Sequence, residues 1–389
     1  MFRRDFLRLA GVAPLGLVVP GLFAAPVTRA GQWGRILLLI ELKGGNDGIN
    51  TVISYRDPNY YRLRPSLAVA QGQAIQLSEH LGFHPSLGSL VEAWRLGELA
   101  VAQGVGYANP NRSHFRSIEI WETASDSEEY LAEGWLARLF AKADPPRDLM
   151  ADAVVLGSQE LGPVSGAGMH ALTMDDPRQF VEQARRVGEA GQPRGNRALA
   201  HILGVQDDLN TSLRRLETRL GEGRTLETEF PRNRFGNVLQ TAARMIAGDI
   251  PVAVIKVSHD GFDTHGNQRG QHERLLREFA DGAAAFRRAM IETGQWNNVL
   301  VMTYSEFGRR VAENGSRGTD HGTAAPHFLM GGKVKGGLYG ENPRLDRLEG
   351  GDLIHQIDFR SLYATVAQGW WGLGANFLGG GHPPLDCFG

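Results

Sequence analysis

Ile36-Leu37-Leu38-Leu39-Ile40-Glu41-Leu42 runs straight into Lys43-Gly44-Gly45-Asn46-Asp47-Gly48. The first stretch is apolar at every position but one. That is the pattern of a strand buried on both faces of a parallel sheet rather than one that alternates between core and water. Four further short apolar runs share this character, at 99–105 (LAVAQGV), 153–156 (AVVL), 251–257 (PVAVIKV) and 298–304 (NVLVMTY). Helical stretches separate them. In 269–292, Leu276, Phe279, Ala283, Phe286 and Met290 form one apolar stripe with charges opposite, the signature of an amphipathic helix; 235–247 reads the same way. Strands alternating with helices predict an α/β fold with a mostly parallel central sheet and helices on both faces. The segment 175–234 is rich in Arg, Glu, Gln and Leu and lacks strands. It is either a helical insertion or a set of crossover helices of the same sheet.

In open parallel sheets, loops and helix N-termini converge beyond the carboxyl ends of the strands, and ligands bind there. Four of the five strand ends run into clusters of Asp, Asn, His, Ser or Glu among glycines. The first is the Gly44–Gly48 loop. The second is Asn109-Pro110-Asn111-Arg112-Ser113-His114-Phe115. The others are Ser258-His259-Asp260-Gly261-Phe262-Asp263-Thr264-His265 and Ser305-Glu306-Phe307-Gly308-Arg309-Arg310. Shortly beyond the last lie Gly318-Thr319-Asp320-His321-Gly322 and Pro326-His327. Each loop alone is also ordinary turn composition, and Ser113 has the makings of a helix N-cap. Four in the right place together point to a site. Asp263 and His265 sit two apart, so in extended chain both project to one side and can grip one ion. Asp320, His321 and His327 add a carboxylate and two imidazoles, and Glu306 directly follows an apolar strand. Arg309 and Arg310 are placed to pair with Glu306 or to bind an anion. This oxygen-rich, imidazole-containing set suits a divalent metal, Zn²⁺ or Mn²⁺ first, then Mg²⁺ or Ca²⁺. His80, His84, His170, His201, His272, His355 and His382 have no partner at recognisable spacing and read as structural or surface residues. Trp370-Trp371 reads as core. The sequence contains no Walker A loop, no G-x-G-x-x-G after a strand, no G-x-S-x-G elbow and no H-E-x-x-H.

The N-terminus opens Met1-Phe2-Arg3-Arg4-Asp5-Phe6-Leu7, followed by an apolar run broken by Gly11, Pro14, Gly16, Pro20 and Gly21. A charged head, a modest apolar middle and small residues beyond describe an export signal. The Arg-Arg-x-Phe-Leu pattern resembles the twin-arginine class, which carries folded cargo. Residues 1–30 are therefore expected to be a signal peptide handled by the twin-arginine translocase, and 31–389 a single α/β domain working in the periplasm or otherwise outside the cytoplasm. Four arginines and one aspartate lie within 1–30, so removing them moves the formal charge from −2 to −5. Nothing in that balance favours nucleic acid. One cysteine, Cys387, excludes an intramolecular disulfide, as suits a chain folded before export from a reducing compartment.

The ordered set Gly-Gly-Asn-Asp-Gly, Asn-Arg-Ser-His-Phe, Phe-Asp-Thr-His, Ser-Glu-Phe-Gly-Arg-Arg and Thr-Asp-His-Gly resembles a widespread family of uncharacterised bacterial proteins exported by the twin-arginine route. That family is similar to the alkaline phosphatase and sulfatase superfamily, an α/β sandwich with metal ions at the strand ends. The resemblance spans nearly the whole mature chain. It implies Asp47 as the first-strand metal carboxylate and Ser113 as the hydroxyl nucleophile at a helix N-terminus. It matches Asp263 and His265 to a later metal pair, with Asp260 as a rival carboxylate. Where the superfamily carries Asp-His, this chain has Glu306-Phe307: glutamate can ligate and phenylalanine cannot. His321, with Asp320 and His327 as alternatives, takes the place of the final metal histidine.

The resemblance thus implies a metal-dependent hydrolase of phosphate or sulfate esters, acting on a small or polymer-linked anionic ester. Ser113 or a metal-activated water would attack, and His114 or His321 would protonate the leaving group. The alternative is a non-catalytic exported binding or assembly protein on the same fold, which the phenylalanine at 307 motivates.

Overall fold

The computed structural model describes residues 32–143, 145–146, 149–175 and 225–389. The signal segment and most of 175–234 lie outside the described residues. The central sheet has nine strands: β1 (Ile36–Lys43), β2 (Leu99–Gly106), β3 (Ala151–Leu156), β4 (Ala171–Met174), β5 (Val252–Asp260), β6 (Val299–Tyr304), β7 (Ala325–Met330), β8 (Gly337–Tyr339) and β9 (Ile357–Asp358). Their order is β8-β2-β7-β6-β1-β5-β3-β4, with β9 also paired to β2. All run parallel except β7, which lies antiparallel between β2 and β6. All five apolar runs form strands of this sheet.

β1 sits near the middle because it can be covered on both sides. Leu38, Ile40 and Leu42 belong to one buried cluster and Leu37 and Leu39 to another, as the two-residue period of a strand requires. The first cluster is closed by α3 (Arg234–Ala247) and α4 (Gln268–Glu292), which contributes Leu275, Leu276, Phe279, Ala283, Phe286 and Met290. The second is closed by α1 (His114–Thr123), α2 (Trp135–Ala143) and α5 (Phe359–Ala364), with Trp121, Trp135, Tyr363, Trp370 and Trp371. Helices therefore cover both faces, and the two C-terminal tryptophans are core. Glu41 points into the second cluster, where the equally buried Lys256 ammonium lies 3.3 Å away; a charge so buried persists only when paired. Among the described residues no helix is long and apolar enough to cross a membrane.

The strand β7 departs from the sequence pattern. Pro326 reads against a central strand, since proline cannot donate to the ladder. The structure accommodates it at a register irregularity between Ala325 and His327. This also corrects the reading of His327 as a candidate ligand. Its ring is 1% exposed against Trp121, at 5.0 Å between centroids.

Register sets the position of the site. Lys43 lies opposite Asp260 and Glu41 opposite Tyr304, so β1, β5 and β6 end side by side. The loops leaving them must meet.

Candidate metal centre

Two glycines let the loops touch. A Cβ at Gly44 would lie 2.4 Å from the Asp263 backbone nitrogen, and one at Gly45 would lie 2.3 Å from the Phe307 ring. Both have positive φ, +115° and +78°, which glycine adopts without steric cost. The Gly44 N–H then donates to both oxygens of the buried Glu306 carboxylate, at 2.9 and 3.1 Å. Glu306 in turn faces His114 Nδ1 at 2.9 Å. His114 is the first residue of α1, behind Ser113 at the N-cap. The Ser113 N–H donates to Asn111 Oδ1 at 2.9 Å, while its hydroxyl makes no capping hydrogen bond. The simple N-cap reading of this serine is thus not what the geometry shows.

Asp263 is the hub. Its Oδ1 accepts from Arg309 at 2.7 Å and lies 3.1 Å from His265 Nε2 and 3.3 Å from His321 Nε2. Its Oδ2 lies 3.4 Å from His114 Nε2. Donor atoms of His114, Asp263 and His321 all fall within 4.8 Å of one another. Burial would raise the Asp263 carboxyl, but the Arg309 hydrogen bond and charge outweigh it and hold the group below the usual carboxylate range. Arg309 is itself buried and anchored by the Gly45 and Thr319 carbonyl oxygens at 2.7 and 2.8 Å. It pairs with Asp263 rather than Glu306.

The ring nitrogens turned away from Asp263 fix the tautomers. His321 Nδ1 meets the Arg112 carbonyl oxygen at 2.7 Å, and a carbonyl can only accept, so Nδ1 carries the proton and Nε2 faces Asp263 with its lone pair. His114 Nδ1 is held against Glu306 in the same way. In its neutral form it also turns a lone pair toward Asp263. Two imidazole lone pairs facing a carboxylate repel unless a proton or a metal cation lies between them. A ligand histidine whose other N–H is pinned by a carboxylate or carbonyl is the usual outer arrangement of a metal site. The residues therefore fit a divalent ion. The Glu306 hydrogen bond raises His114, whereas burial lowers His321.

His265 stands at the edge of this group, with Nε2 at 2.9 Å from His321 Nε2 and Nδ1 at 3.2 Å from Asp320 Oδ1. Asn314 holds Asp320 at 3.0 Å and keeps it ionised below its ordinary range. Gly318 permits the close approach of this loop, since a Cβ there would meet the His265 carbonyl carbon at 2.3 Å.

Several expectations need correction. Asp47 does not join the cluster. Its carboxylate is fully buried, paired with Arg64 at 2.5 Å and bonded by the Gln268 amide. Burial would raise this carboxyl, but Arg64 keeps it low, so a guanidinium already supplies the countercharge. Asp260 turns outward to Arg234 at 3.1 Å. Glu306 and Asp320 stand behind histidines rather than among the three converging donors. His114, expected as a proton donor, is one of those donors. Phe307 packs its ring 4.4 Å from His321 and 4.9 Å from His114, centroid to centroid, and so walls one side of the centre.

The fold and this cluster define an α/β protein with a candidate metal centre at the strand ends. Residues 35–376 match the family described as protein of unknown function (DUF1501), and the chain belongs to it. No curated protein sequence matches the chain. Among solved structures, the PsFucS1 sulfatase from Pseudoalteromonas sp. aligns over 90% of this chain and 70% of its own, at 12% identity and TM-score 0.40. The zinc complex of the C-terminal periplasmic domain of EcEptC from Escherichia coli aligns over 76% and 72%, at 10% identity and TM-score 0.37. The alkaline phosphatase of the Antarctic bacterium TAB5 aligns over 79% and 94%, at 10% identity and TM-score 0.34.

Proposed function

We propose that this chain is an exported, metal-dependent hydrolase of phosphate or sulfate esters, related to the alkaline phosphatase and sulfatase superfamily. The observation that carries the reading is the pair of histidines, His114 and His321, whose far nitrogens are pinned and whose Nε2 atoms face one carboxylate. His114, Asp263 and His321 would hold the ion. Two imidazoles and one carboxylate favour Zn²⁺ or Mn²⁺ over Mg²⁺ or Ca²⁺. Such an ion supplies Lewis-acid polarisation of an ester oxygen.

The remaining roles fall to the chain. Ser113 carries an exposed hydroxyl free of any capping bond at the N-terminus of α1, where an alkoxide is favoured by the helix dipole. It loses its hydroxyl proton to solvent as it attacks phosphorus or sulfur, forming a seryl ester as the bond to the leaving oxygen breaks. His265, backed by Asp320, gives that oxygen its proton, and water then releases the acid from the serine. Arg309 fixes Asp263 in place. The chain would work outside the cytoplasm, delivered by the twin-arginine translocase.

A small panel of aryl phosphates and aryl sulfates tests this reading. Ser113→Ala should lower hydrolysis more than about a hundredfold while leaving metal content unchanged. Wild-type rates in Ser113→Ala would overturn the serine's role. No turnover of any panel member by metal-loaded protein would overturn the hydrolase. The non-catalytic alternative draws its support from Phe307, which fills space beside two of the donors, and from Arg64, which takes up Asp47.

A further inference from the structure

Helix α4 carries Arg269, Glu273, Arg277 and Asp281 at intervals of four, so the four stack along one face. Opposite charges at this spacing ordinarily close ion pairs. On the same helix Arg274 and Glu278 do so at 2.8 Å. Among the described residues, no ion pair joins members of the stripe to one another. Arg269 instead donates to the Ser66 and Ala68 carbonyl oxygens, and Asp281 accepts from Ser89 Oγ at 2.5 Å. Glu273 and Arg277 have no hydrogen-bond or ion-pair partner among the described residues. All four line a cleft of about 370 Å³.

His84, before the 3₁₀ turn Pro85–Leu90, and His272, on α4 itself, also line that cleft and are 3% and 2% exposed. Their rings lie 6.2 Å apart, tilted by 75°. His84 Nδ1 accepts from the Ser86 N–H at 3.1 Å, so its proton sits on Nε2. His272 Nε2 meets Asn46 Oδ1 at 3.0 Å, so it donates there and Nδ1 keeps its lone pair. Burial keeps both rings neutral, pushing His84 down to about 4 and His272 to about 3. His84 Nε2 and His272 Nδ1 have no protein partner among the described residues. The cleft thus offers one neutral donor, one neutral acceptor, one unpaired cation and one unpaired anion. His114, Asp263, His265 and His321 do not line it.

We propose that this cleft binds a small hydroxylated zwitterion of the amino-acid class. Arg277 takes the carboxylate and Glu273 the ammonium. A hydroxyl donates to His272 Nδ1 and accepts from His84 Nε2–H. A lone anion would meet Glu273 and Asp281, a lone cation Arg269 and Arg277, and a neutral polyol would leave both unpaired charges unmatched. The proposal is independent of the hydrolase reading.

Calorimetric titration of the full purified protein with L-serine, glycolate, ethanolamine and glycerol tests it, because each of the last three lacks one or both charges. The expected result is saturable L-serine binding at least about tenfold tighter than the others. Arg277→Ala and Glu273→Gln should each weaken it about tenfold or more without moving the melting temperature of the unliganded protein. Absence of saturable L-serine binding, equal binding of glycolate or glycerol, or binding indifferent to both substitutions would overturn the assignment.

Discussion

Asp47 and Asp263 leave the ends of adjacent strands in glycine-rich loops, yet they resolve their charge in different ways. Asp47 is sealed from water and neutralised by Arg64 at 2.5 Å. Asp263 is half-exposed, held by Arg309, and faced by three imidazoles. Removing Arg64 would leave a buried carboxylate uncompensated, so Arg64→Ala should destabilise the protein by about 3–5 kcal/mol in urea unfolding. An Arg64→Ala protein as stable as the parent would show that Asp47 has another counter-ion. Asp263→Ala should remove the metal, and it should also cost some stability, because it leaves the buried Arg309 guanidinium without its carboxylate. The sequence marks both aspartates identically, as acidic residues among strand-end glycines. What separates them is Arg64, seventeen residues beyond Asp47, in a stretch where an arginine reads equally well as surface charge. His114 is legible as functional, but its role depends on Glu306 being brought across from β6, which no local pattern reveals.

At the scale of elements, β1 and its loop behave as one unit. Gly44 and Gly45 are needed less as a flexible turn than as space, because Asp263 and Phe307 occupy the volume a side chain would fill. Gly45→Ala should therefore cost about 1–3 kcal/mol, and it should displace Phe307 from His114 and His321. A thermal melt checks the first effect and metal affinity the second. The five parallel strands are readable because a short, continuous apolar run between helices fits little besides a strand buried on both faces. β7 is not, since Pro326 and His327 look like loop residues until a bulge and the Trp121 ring account for them. The same ambiguity hides the cleft. His84 and His272 lie far apart in sequence, and only the packing of α4 beside the 3₁₀ turn Pro85–Leu90 brings them together.

At the scale of the whole molecule, buried neutral histidines tie stability to pH. Burial pushes His327 down to about 3 in the folded chain, against about 6.5 when unfolded. Between those values the unfolded state binds the extra proton. Stability is therefore full above about pH 6.5 and falls as pH drops toward 3, by up to about 1.4 kcal/mol per pH unit for this one group. His327→Leu should remove that slope, so its stability relative to the parent should improve steadily from pH 7 to pH 4 in chemical unfolding. A constant difference would show that His327 titrates normally. The cellular address is a separate test: Arg3-Arg4→Lys-Lys should block export, and undiminished export would refute the twin-arginine assignment.

The central claim is that His114, Asp263 and His321 hold one divalent ion. Elemental analysis of the protein purified from the periplasm, alongside Asp263→Ala, tests it most directly. The account predicts about one Zn²⁺ or Mn²⁺ per chain in the parent and its loss in a variant that stays folded. A metal-free parent that also fails to take up Zn²⁺ or Mn²⁺ on dialysis, or an Asp263→Ala protein that keeps its full complement, would contradict it.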